Sequence, residues 1–471
     1  MTTVVDQIIR GQTPDLDAYL SEGLEINDID EYGFTLLIES AIAQNVEAMR
    51  LLLARGSLVN EPDVTGRTAL HWSVDHHHLE QTQMLLEASA NPNAYTRGGQ
   101  PPLVYPLLRE QEKMKALLYT HGADLNFAQD FIQAKLIGHR FELKGEVEIL
   151  NAERTFITLD YEGFFLEFSV DAILHSLQRF SQHFSFQELN HEYGRATSAL
   201  LEAIKRASQL LKYQGTTWQV ARFEGQIDAL LQASFQIFPI ASQGHALTFV
   251  RLGRFWAKCD RGENSLKEGT VNIYEIGAPE KLTLAFLKNL IYKKQTPSFI
   301  QKNINTLLAL RPIAQLPLTA QISGNCSWAN VEGAIPTACA LFLHAIQKIP
   351  FPKAISYAMH FHEAWIKWDK DRALEACVQS FEDASAARRA SKAATLGAIL
   401  FQSCRYQSEG DMKRAEKILK ILMLKPYRYI LDSYVTAYCA DKLTQKGNNL
   451  LQILDDFGIN PDAGVSPIGI G

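Results

Sequence analysis

The first 131 residues repeat with a period of 33, and this repeat constrains the fold more than any other feature of the sequence. Four positions keep the interval, namely Gly33, Gly66 and Gly99; Leu37, Leu70 and Leu103; Gly23, Gly56, Ser89 and Gly122; and Asn27, Asn60, Asn93 and Asn126. A unit of this length cannot bury an apolar face by itself, so neighbouring units are expected to stack into a solenoid.

The clearest unit, GRTALHWSVDHHHLEQTQMLLEASANPNA, runs from Gly66 to Ala94 and resembles the ankyrin repeat. Thr68 can begin the first helix and hydrogen-bond to His71. The Gly or Ser four residues before each Asn ends the second helix, and the Asn braces the following turn. The resemblance implies four repeats (about 1–32, 33–65, 66–98 and 99–131) in an all-α solenoid that binds a protein partner and has no chemistry of its own.

Turns of the array supply the predicted partner-binding residues, which are His76, His77, Asn93, Tyr95, Arg97 and Asn126. The run of three histidines at 76–78 is not predicted to bind a metal, because neighbouring side chains in a turn diverge and no Cys or carboxylate accompanies them. Asn93 and Asn126 occupy the position that asparaginyl hydroxylases modify in eukaryotic ankyrin repeats. A purely turn-bracing role for these asparagines is the alternative.

Residues 132–350 lack the repeat and are predicted to form one α+β domain. The segment 139–169 alternates apolar and polar residues and predicts three strands, whereas 171–235 has helical spacing. Four short segments then predict an antiparallel meander: FQIFPIAS, HALTFVRLG, RFWAKCDRG and TVNIYEIG.

A His and an Asp lie at corresponding ends of two of these strands. His245 opens the second segment and Asp260 closes the third, so a hairpin near Gly253 places both residues at one edge of the sheet. A carboxylate there can orient the imidazole and stabilise its charged form.

A candidate nucleophile follows in LPLTAQISGNCSWANVEGAIPTACALFLHAI. Cys326 begins a segment of helical spacing, where the helix dipole and the free backbone N–H groups favour a thiolate. Gln321, five residues earlier, can supply an amide N–H to an oxyanion. The alternative is structural, with Cys326 as a small apolar filler and His245 as a satisfied polar group. Cys259 is expected to be a core residue because successive strand residues point to opposite faces.

The order His, Asp, Gln and Cys, with the Cys opening a helix, resembles the clan of thiol peptidases that includes adenovirus endopeptidase, the SUMO proteases and the bacterial YopJ-type effectors. The resemblance covers about 80 residues and implies that His245 is the general base, Asp260 the orienting acid, Gln321 the oxyanion residue and Cys326 the nucleophile. Ala246 stands where many SUMO proteases have Trp, and the interval from Gln to Cys is short.

Residues 351–471 are predicted to form a helical C-terminal region with a flexible tail. Phe361, Trp365 and Trp368 have the spacing of a buried helical stripe. The expected fold is therefore multidomain: ankyrin repeats at 1–131, an α+β papain/SUMO-protease-like cysteine protease domain with an antiparallel sheet at 132–350, and helices at 351–471.

Composition narrows the classes of function. No apolar run reaches the ~18 residues that a membrane span needs, and the N-terminus lacks the basic region and apolar core of a Sec signal peptide. The net charge of −6, without an obvious basic patch, disfavours direct binding of nucleic acid. The 6 cysteines form no CxxC pair, which favours a reducing compartment. No cofactor and no metal are expected.

Ankyrin repeats joined to a cysteine-protease-like domain resemble the type IV (Dot/Icm) secreted effectors of intracellular bacteria. The resemblance implies delivery through a C-terminal signal into the cytoplasm or nucleus of a host cell. There the repeats would bind a host protein, and the thiol site would act as a protease or acyltransferase. The alternatives are a non-catalytic interaction scaffold with a degenerate protease-like domain, and a bacterial housekeeping adaptor.

Overall fold

The computed structural model describes residues 4–30, 33–163, 165–213, 223–242, 245–262, 265–321, 324–440 and 443–460. The chain divides into two compact units. The first comprises residues 1–135, 145–160 and 384–395, and the second comprises 136–144, 161–383 and 396–471. The predicted boundaries after residues 131 and 350 stay predictions.

Pairs of short helices form most of the first unit, at Val4–Ile9, Leu16–Ser21, Leu36–Ile42, Val46–Ala54, Ala69–Asp75, Leu79–Glu87, Val104–Leu108 and Glu112–Thr120. The helix Leu125–Arg140 begins in this unit. Strands β1 (Glu146–Leu150) and β2 (Phe156–Asp160) form an antiparallel hairpin.

The repeated asparagines join one repeat to the next. Asn27, Asn60 and Asn93 each accept a hydrogen bond from the backbone N–H group 31 residues later, at 2.8, 2.7 and 2.7 Å. Thr68 caps its helix, and its backbone N–H donates to His71 Nδ1 at 3.1 Å. The repeated sequence thus encodes contacts that recur at the same interval.

One predicted strand is wrong. The segment 139–169 forms two strands, and its last residues begin the helix Leu166–Gln182. The apolar residues of that helix, including Val170, Ile173 and Leu177, recur at helical spacing and are fully buried, so packing along one helical face decides the structure here.

The second unit is built around a five-stranded antiparallel sheet in the order β3-β4-β5-β6-β7. The strands are β3 (Phe235–Ser242), β4 (His245–Leu252), β5 (Phe255–Cys259), β6 (Val271–Glu275) and β7 (Arg311–Leu316). The first four match the predicted meander. β5 is buried at every residue because its two faces contribute to different hydrophobic clusters, Phe255 and Ala257 to one and Trp256 to the other.

The cluster that contains Phe255 packs the sheet against the helix Cys326–Ala345, here called the central helix. The cluster that contains Trp256 covers the other face with shorter helices. The remaining helices before the central helix lie at Phe184–Leu211, Glu224–Leu231, Ser265–Glu268, Leu284–Tyr292 and Ile304–Leu307, with a 3-10 turn at Pro279–Lys281 and a π-helical turn at Phe299–Asn303.

The C-terminal region is helical, as the sequence predicts. Its helices lie at Phe351–Glu382, Ala386–Ser403, Glu409–Leu422, Arg428–Val435 and Gln445–Asp456, with a π-helical turn at Thr436–Ala440. Phe361 and Trp365 are fully buried in the cluster that contains the central helix, and Trp368 packs against it. The predicted flexible tail, residues 464–471, lies outside the described residues.

Candidate thiol site

His245, Asp260 and Cys326 meet at one edge of the five-stranded sheet. His245 is the first residue of β4, and Asp260 follows β5, the antiparallel neighbour of β4. His245 Nε2 lies 2.9 Å from Asp260 Oδ1. The backbone N–H of Ala246 donates to Cys326 Sγ at 3.4 Å, which places the thiol beside the same strand end.

Cys326 is the first residue of the central helix, where backbone N–H groups are free to stabilise a negative charge. Burial raises the pKa of Cys326, but hydrogen bonds from His245 and from the Ala246 amide outweigh it, so the thiol pKa lies below its ordinary value. Hydrogen bonds to Asp260 and Cys326 raise the pKa of His245 to about 10. This electrostatic arrangement favours a thiolate–imidazolium pair at neutral pH.

The carboxylate of Asp260 is held on both of its oxygens. Although burial raises its pKa, the hydrogen bond to His245 and the charge on it lower the pKa below its ordinary value. Oδ1 also accepts from the Gly262 N–H at 3.2 Å, and Oδ2 accepts from Gln301 Nε2 at 3.3 Å. Gln301 Oε1 in turn accepts from Lys258 Nζ at 3.1 Å. Gln301 is not evident from the sequence, since no local pattern connects it with a residue 41 positions earlier.

Asn330 was also missed, although it joins three of the segments that carry the site. Its Nδ2 donates to the Ala246 carbonyl at 2.6 Å, and its Oδ1 accepts from the Arg261 N–H at 2.7 Å. Its Nδ2 also lies 3.3 Å from Gln321 Oε1. Asn330 is fully buried, one helical turn after Cys326. An Asn inside a long apolar helix is the sequence signal that could have revealed it, because buried amides need partners.

Gln321 lies next to this network. Its backbone N–H donates to the Arg261 carbonyl at 2.8 Å, and its side-chain oxygen faces Asn330. The structure therefore brings Gln321 to the loop that follows Asp260, and its predicted role toward an oxyanion remains a proposal.

The start of the central helix is ordered by buried polar and aromatic contacts. Asn325 Oδ1 lies 2.6 Å from His139 Nδ1. The His139 ring stacks on Trp328 with an interplanar angle of 7°. These contacts position the first turn of the helix and therefore the Cys326 backbone.

The expectation for Cys259 agrees with its surroundings. Cys259 is fully buried on the sheet face opposite to Asp260, and burial raises its pKa to about 12. Burial also raises the pKa of Cys339 and of Cys404 to about 12. Cys326 differs from these three thiols in the direction of its shift.

Two of the predicted partner-binding residues, both asparagines, make hydrogen bonds within the protein. Asn126 Oδ1 accepts from Arg388 Nη1 at 2.7 Å, within the first unit. Asn93 Nδ2 donates to the Gly122 carbonyl at 2.9 Å, in addition to the contact that its oxygen makes with the next repeat. For Asn93 these contacts fit the turn-bracing alternative, and the predicted role of both side chains in partner binding stays a prediction.

The other four predicted partner-binding residues differ in exposure. His77, Tyr95 and Arg97 are exposed. His76 is half-buried at the end of a helix, and burial lowers its pKa to about 4; its predicted role in partner binding stays a prediction.

Neither a metal cluster nor a membrane-spanning helix is found in the described parts of the chain. Within them, no three His, Cys, Asp or Glu side chains group as metal ligands would. Among the described helices, none combines the length and the apolar character needed to cross a membrane.

Comparison with known proteins identifies the repeats. The ankyrin repeat family model matches residues 7–96 with 3 copies. Human ankyrin repeat domain-containing protein 63 is 35% identical over 79 residues, which are 17% of this chain and 18% of that protein. Ankyrin repeat, SAM and basic leucine zipper domain-containing protein 1 of the platypus (Ornithorhynchus anatinus) is 29% identical over 110 residues, 22% of this chain and 23% of that protein. The chain thus spans less than a quarter of the length of these curated relatives.

The fold and the repeats define an ankyrin-repeat protein with a second, sheet-containing unit. The solved structure of the Legionella effector AnkH is similar over 99% of this chain and 99% of its own, with 51% identity and a TM-score of 0.88. The chain belongs to the family of AnkH, as an AnkH-like ankyrin-repeat effector.

Proposed function

We propose that this protein is a bacterial effector, translocated into host cells by type IV secretion, whose second unit carries a Cys-His-Asp thiol site of protease or acyltransferase type. One observation supports the site. Cys326 begins a helix and contacts His245, and Asp260 in turn bonds His245. The sheet edge and the helix that carry these residues also favour a papain/SUMO-protease-like domain.

We propose a role for each group from its contacts. Because Nε2 of His245 bonds Asp260, its Nδ1 is the nitrogen that would exchange a proton with Cys326. The Cys326 thiolate would attack a carbonyl carbon, and the breaking bond would release a leaving group that takes the proton from His245. This leaves the acyl group on Cys326 as a thioester. Water would hydrolyse the thioester, or an amine or hydroxyl would attack it and accept the acyl group, and either reaction would release the Cys326 thiolate.

An oxyanion would form in the attack. The backbone N–H groups at the start of the central helix, together with the Gln321 amide, are the donors that we propose for it. Asn330 acts as a positioning residue, since it bonds the backbone of both strand ends.

The site can be tested by trapping the thioester. The full chain is incubated with a small activated ester, and the acyl adduct on each cysteine is measured by mass spectrometry, with and without an amine acceptor. We expect an adduct on Cys326 that His245→Ala abolishes and that the acceptor discharges. Cys439→Ala is the matched control, because this thiol is also half-buried but its pKa is raised by burial.

The absence of an adduct on Cys326 in the folded wild-type chain, or equal labelling of Cys326 and Cys439, would favour the non-catalytic scaffold. In that case the repeats carry the function. We propose that they bind a host protein in the host cytoplasm or nucleus, with His77, Tyr95 and Arg97 as exposed contact residues. A reporter enzyme that works only in host cytosol, fused to the chain, tests translocation independently of catalysis.

A further inference from the structure

One cavity in the sheet-containing unit is lined by more cationic than anionic side chains. Its volume is about 690 Å³, large enough for a small organic ligand. The lining contains six Arg or Lys residues and three Glu residues: Arg140, Arg261, Lys367, Lys370, Arg405 and Arg414, against Glu142, Glu332 and Glu363. The lining charge, with 6 − 3 = 3, is therefore +3 before His362 is counted, in a chain whose net charge is −6.

Carboxylates fix the buried arginines of this cavity in place. Arg140 Nε bonds Asp369 at 2.7 Å, and Arg414 bonds both Asp371 at 2.7 Å and Asp411 at 2.6 Å. None of these three aspartates is among the lining residues, so the carboxylates offset the charge of the arginines without occupying the cavity. The arginines are thereby preorganised as part of the wall.

Three other Lys or Arg side chains of the lining lack a carboxylate partner among the described residues. Within the described parts of the chain, Lys367, Lys370 and Arg405 have no carboxylate oxygen within ion-pair distance. All three line the cavity, where Lys367 and Arg405 are exposed and Lys370 is half-buried. They can meet a ligand at a smaller desolvation cost than the fixed arginines.

His362 lies deep in the wall of the cavity. The residue is only 8% exposed and lines the cavity. Its Nε2 lies 3.6 Å from a carboxylate oxygen of Glu332, which is an ion-pair distance. The ring therefore adds a polar group to the lining at depth.

The helix Glu409–Leu422 begins at this wall, where Ser408 and Gly410 line the cavity. The positive end of its dipole thus adds to the field of the cations. Several cations around one cavity favour an anion with more than one charge, and the volume exceeds the space that a single phosphate needs.

We propose that this cavity binds a small polyanion of the phosphate-ester or polyphosphate class, with Lys367, Lys370, Arg405 and His362 as its contacts. The ligand is either a soluble phosphate compound or the headgroup of a phosphorylated lipid. The proposal is independent of turnover at Cys326, because none of these four residues belongs to the thiol site.

Tripolyphosphate is a soluble probe for this site. Isothermal titration calorimetry with the full chain is expected to show saturable binding of tripolyphosphate that is at least ~10-fold tighter than that of inorganic phosphate. Each of Lys370→Gln and the pair Lys367→Gln, Arg405→Gln is expected to weaken binding ~5-fold or more, since each removes charge that the ligand neutralises. Circular dichroism melting of each variant establishes that it is folded.

Lys417→Gln is the matched control. Lys417 lies on the same helix as Arg414, loses the same charge and pairs with Glu375 at 3.2 Å, but does not line the cavity. Equal weakening in Lys417→Gln, or no saturable binding of tripolyphosphate by the wild type, would overturn the proposal.

Vesicles distinguish the two ligand sources. Flotation with vesicles that contain a phosphorylated inositol lipid, compared with vesicles of equal charge made from phosphatidylserine, identifies a lipid headgroup if only the former bind and Lys370→Gln abolishes it. Binding of tripolyphosphate without flotation assigns a soluble ligand.

Discussion

The substitution Asp260→Asn tests the electrostatic basis of the thiol site because it removes one charge and almost no volume. Asp260 is the first cause of the pKa of about 10 at His245, compared with 6.5 for an ordinary histidine. Asp260 and Cys326 both contribute to this rise from 6.5 to about 10. In the variant, we expect the pKa of His245 to fall by at least ~2 units toward its ordinary value.

The fraction of Cys326 that is thiolate at neutral pH should fall at the same time. Without a protonated His245 beside it, the thiol approaches the ~8.5 of a free cysteine, so only a few per cent is thiolate at pH ~7. We therefore expect alkylation of Cys326 by iodoacetamide at pH ~7 to slow by about 10-fold or more, since the thiolate is the nucleophile.

Mass spectrometry of each cysteine-containing peptide measures the alkylation rate across the pH range, and NMR of the His245 ring reports its titration. Cys259, Cys339 and Cys404 are internal controls, because burial raises their pKa to about 12 and they should remain unlabelled while the chain is folded. An unchanged pH profile of Cys326 in Asp260→Asn, or a wild-type His245 that titrates near 6.5, would refute this reasoning.

The same shift predicts a dependence of stability on pH. The folded-state pKa of His245 lies above the unfolded value, so its protonated form stabilises the folded state fully below pH 6.5, and this contribution is lost as the pH rises toward about 10. Urea unfolding at pH 7 and at pH 9.5 should show this loss in the wild type and a smaller one in Asp260→Asn.

Three further perturbations probe contacts that lie within one or the other of the two units. Asn330→Ala leaves the Ala246 carbonyl and the Arg261 N–H buried without their partner. We therefore expect the free energy of unfolding in urea to fall by about 2–5 kcal/mol. Faster alkylation of Cys259 than in the wild type would show that the chain unfolds and does not only become disordered locally. Gly66→Ala should destabilise the array more than Gly56→Ala, as measured by hydrogen exchange. Both glycines have φ above +80°, but only at Gly66 would an added Cβ meet another atom, the Arg97 backbone N at 2.6 Å. Equal effects of the two substitutions would contradict this steric argument. Burial lowers the pKa of His71 from 6.5 to about 4, so the folded array binds fewer protons than the unfolded chain. The array should therefore lose stability as the pH falls below 6.5, by roughly 2 kcal/mol at pH ~5. Equal hydrogen-exchange protection of these repeats at pH ~5 and ~7, after correction for intrinsic exchange rates, would contradict this prediction.

Local sequence patterns predicted the elements well where one periodicity dominated. The period of 33 placed the helix pairs, and the alternating segments placed β3 to β6. The failure at 139–169 has a physical cause, because an apolar run such as FFLEFS fits either a strand or the first turn of a buried helix, and packing against the rest of the unit decides between them.

The sequence by itself determined the stacked repeats, the order of β3 to β6 and the placement of Cys326 at a helix start, since all three follow from periodicity and from residues close together in the chain. Only the tertiary structure decided which further side chains join His245, Asp260 and Cys326 at the site. Gln301 reaches Asp260, and Asn330 reaches Ala246 from 84 residues away. Such partners are selected by the need of each buried polar group for a hydrogen bond, and that need is met by whatever the fold brings near, which no local pattern records.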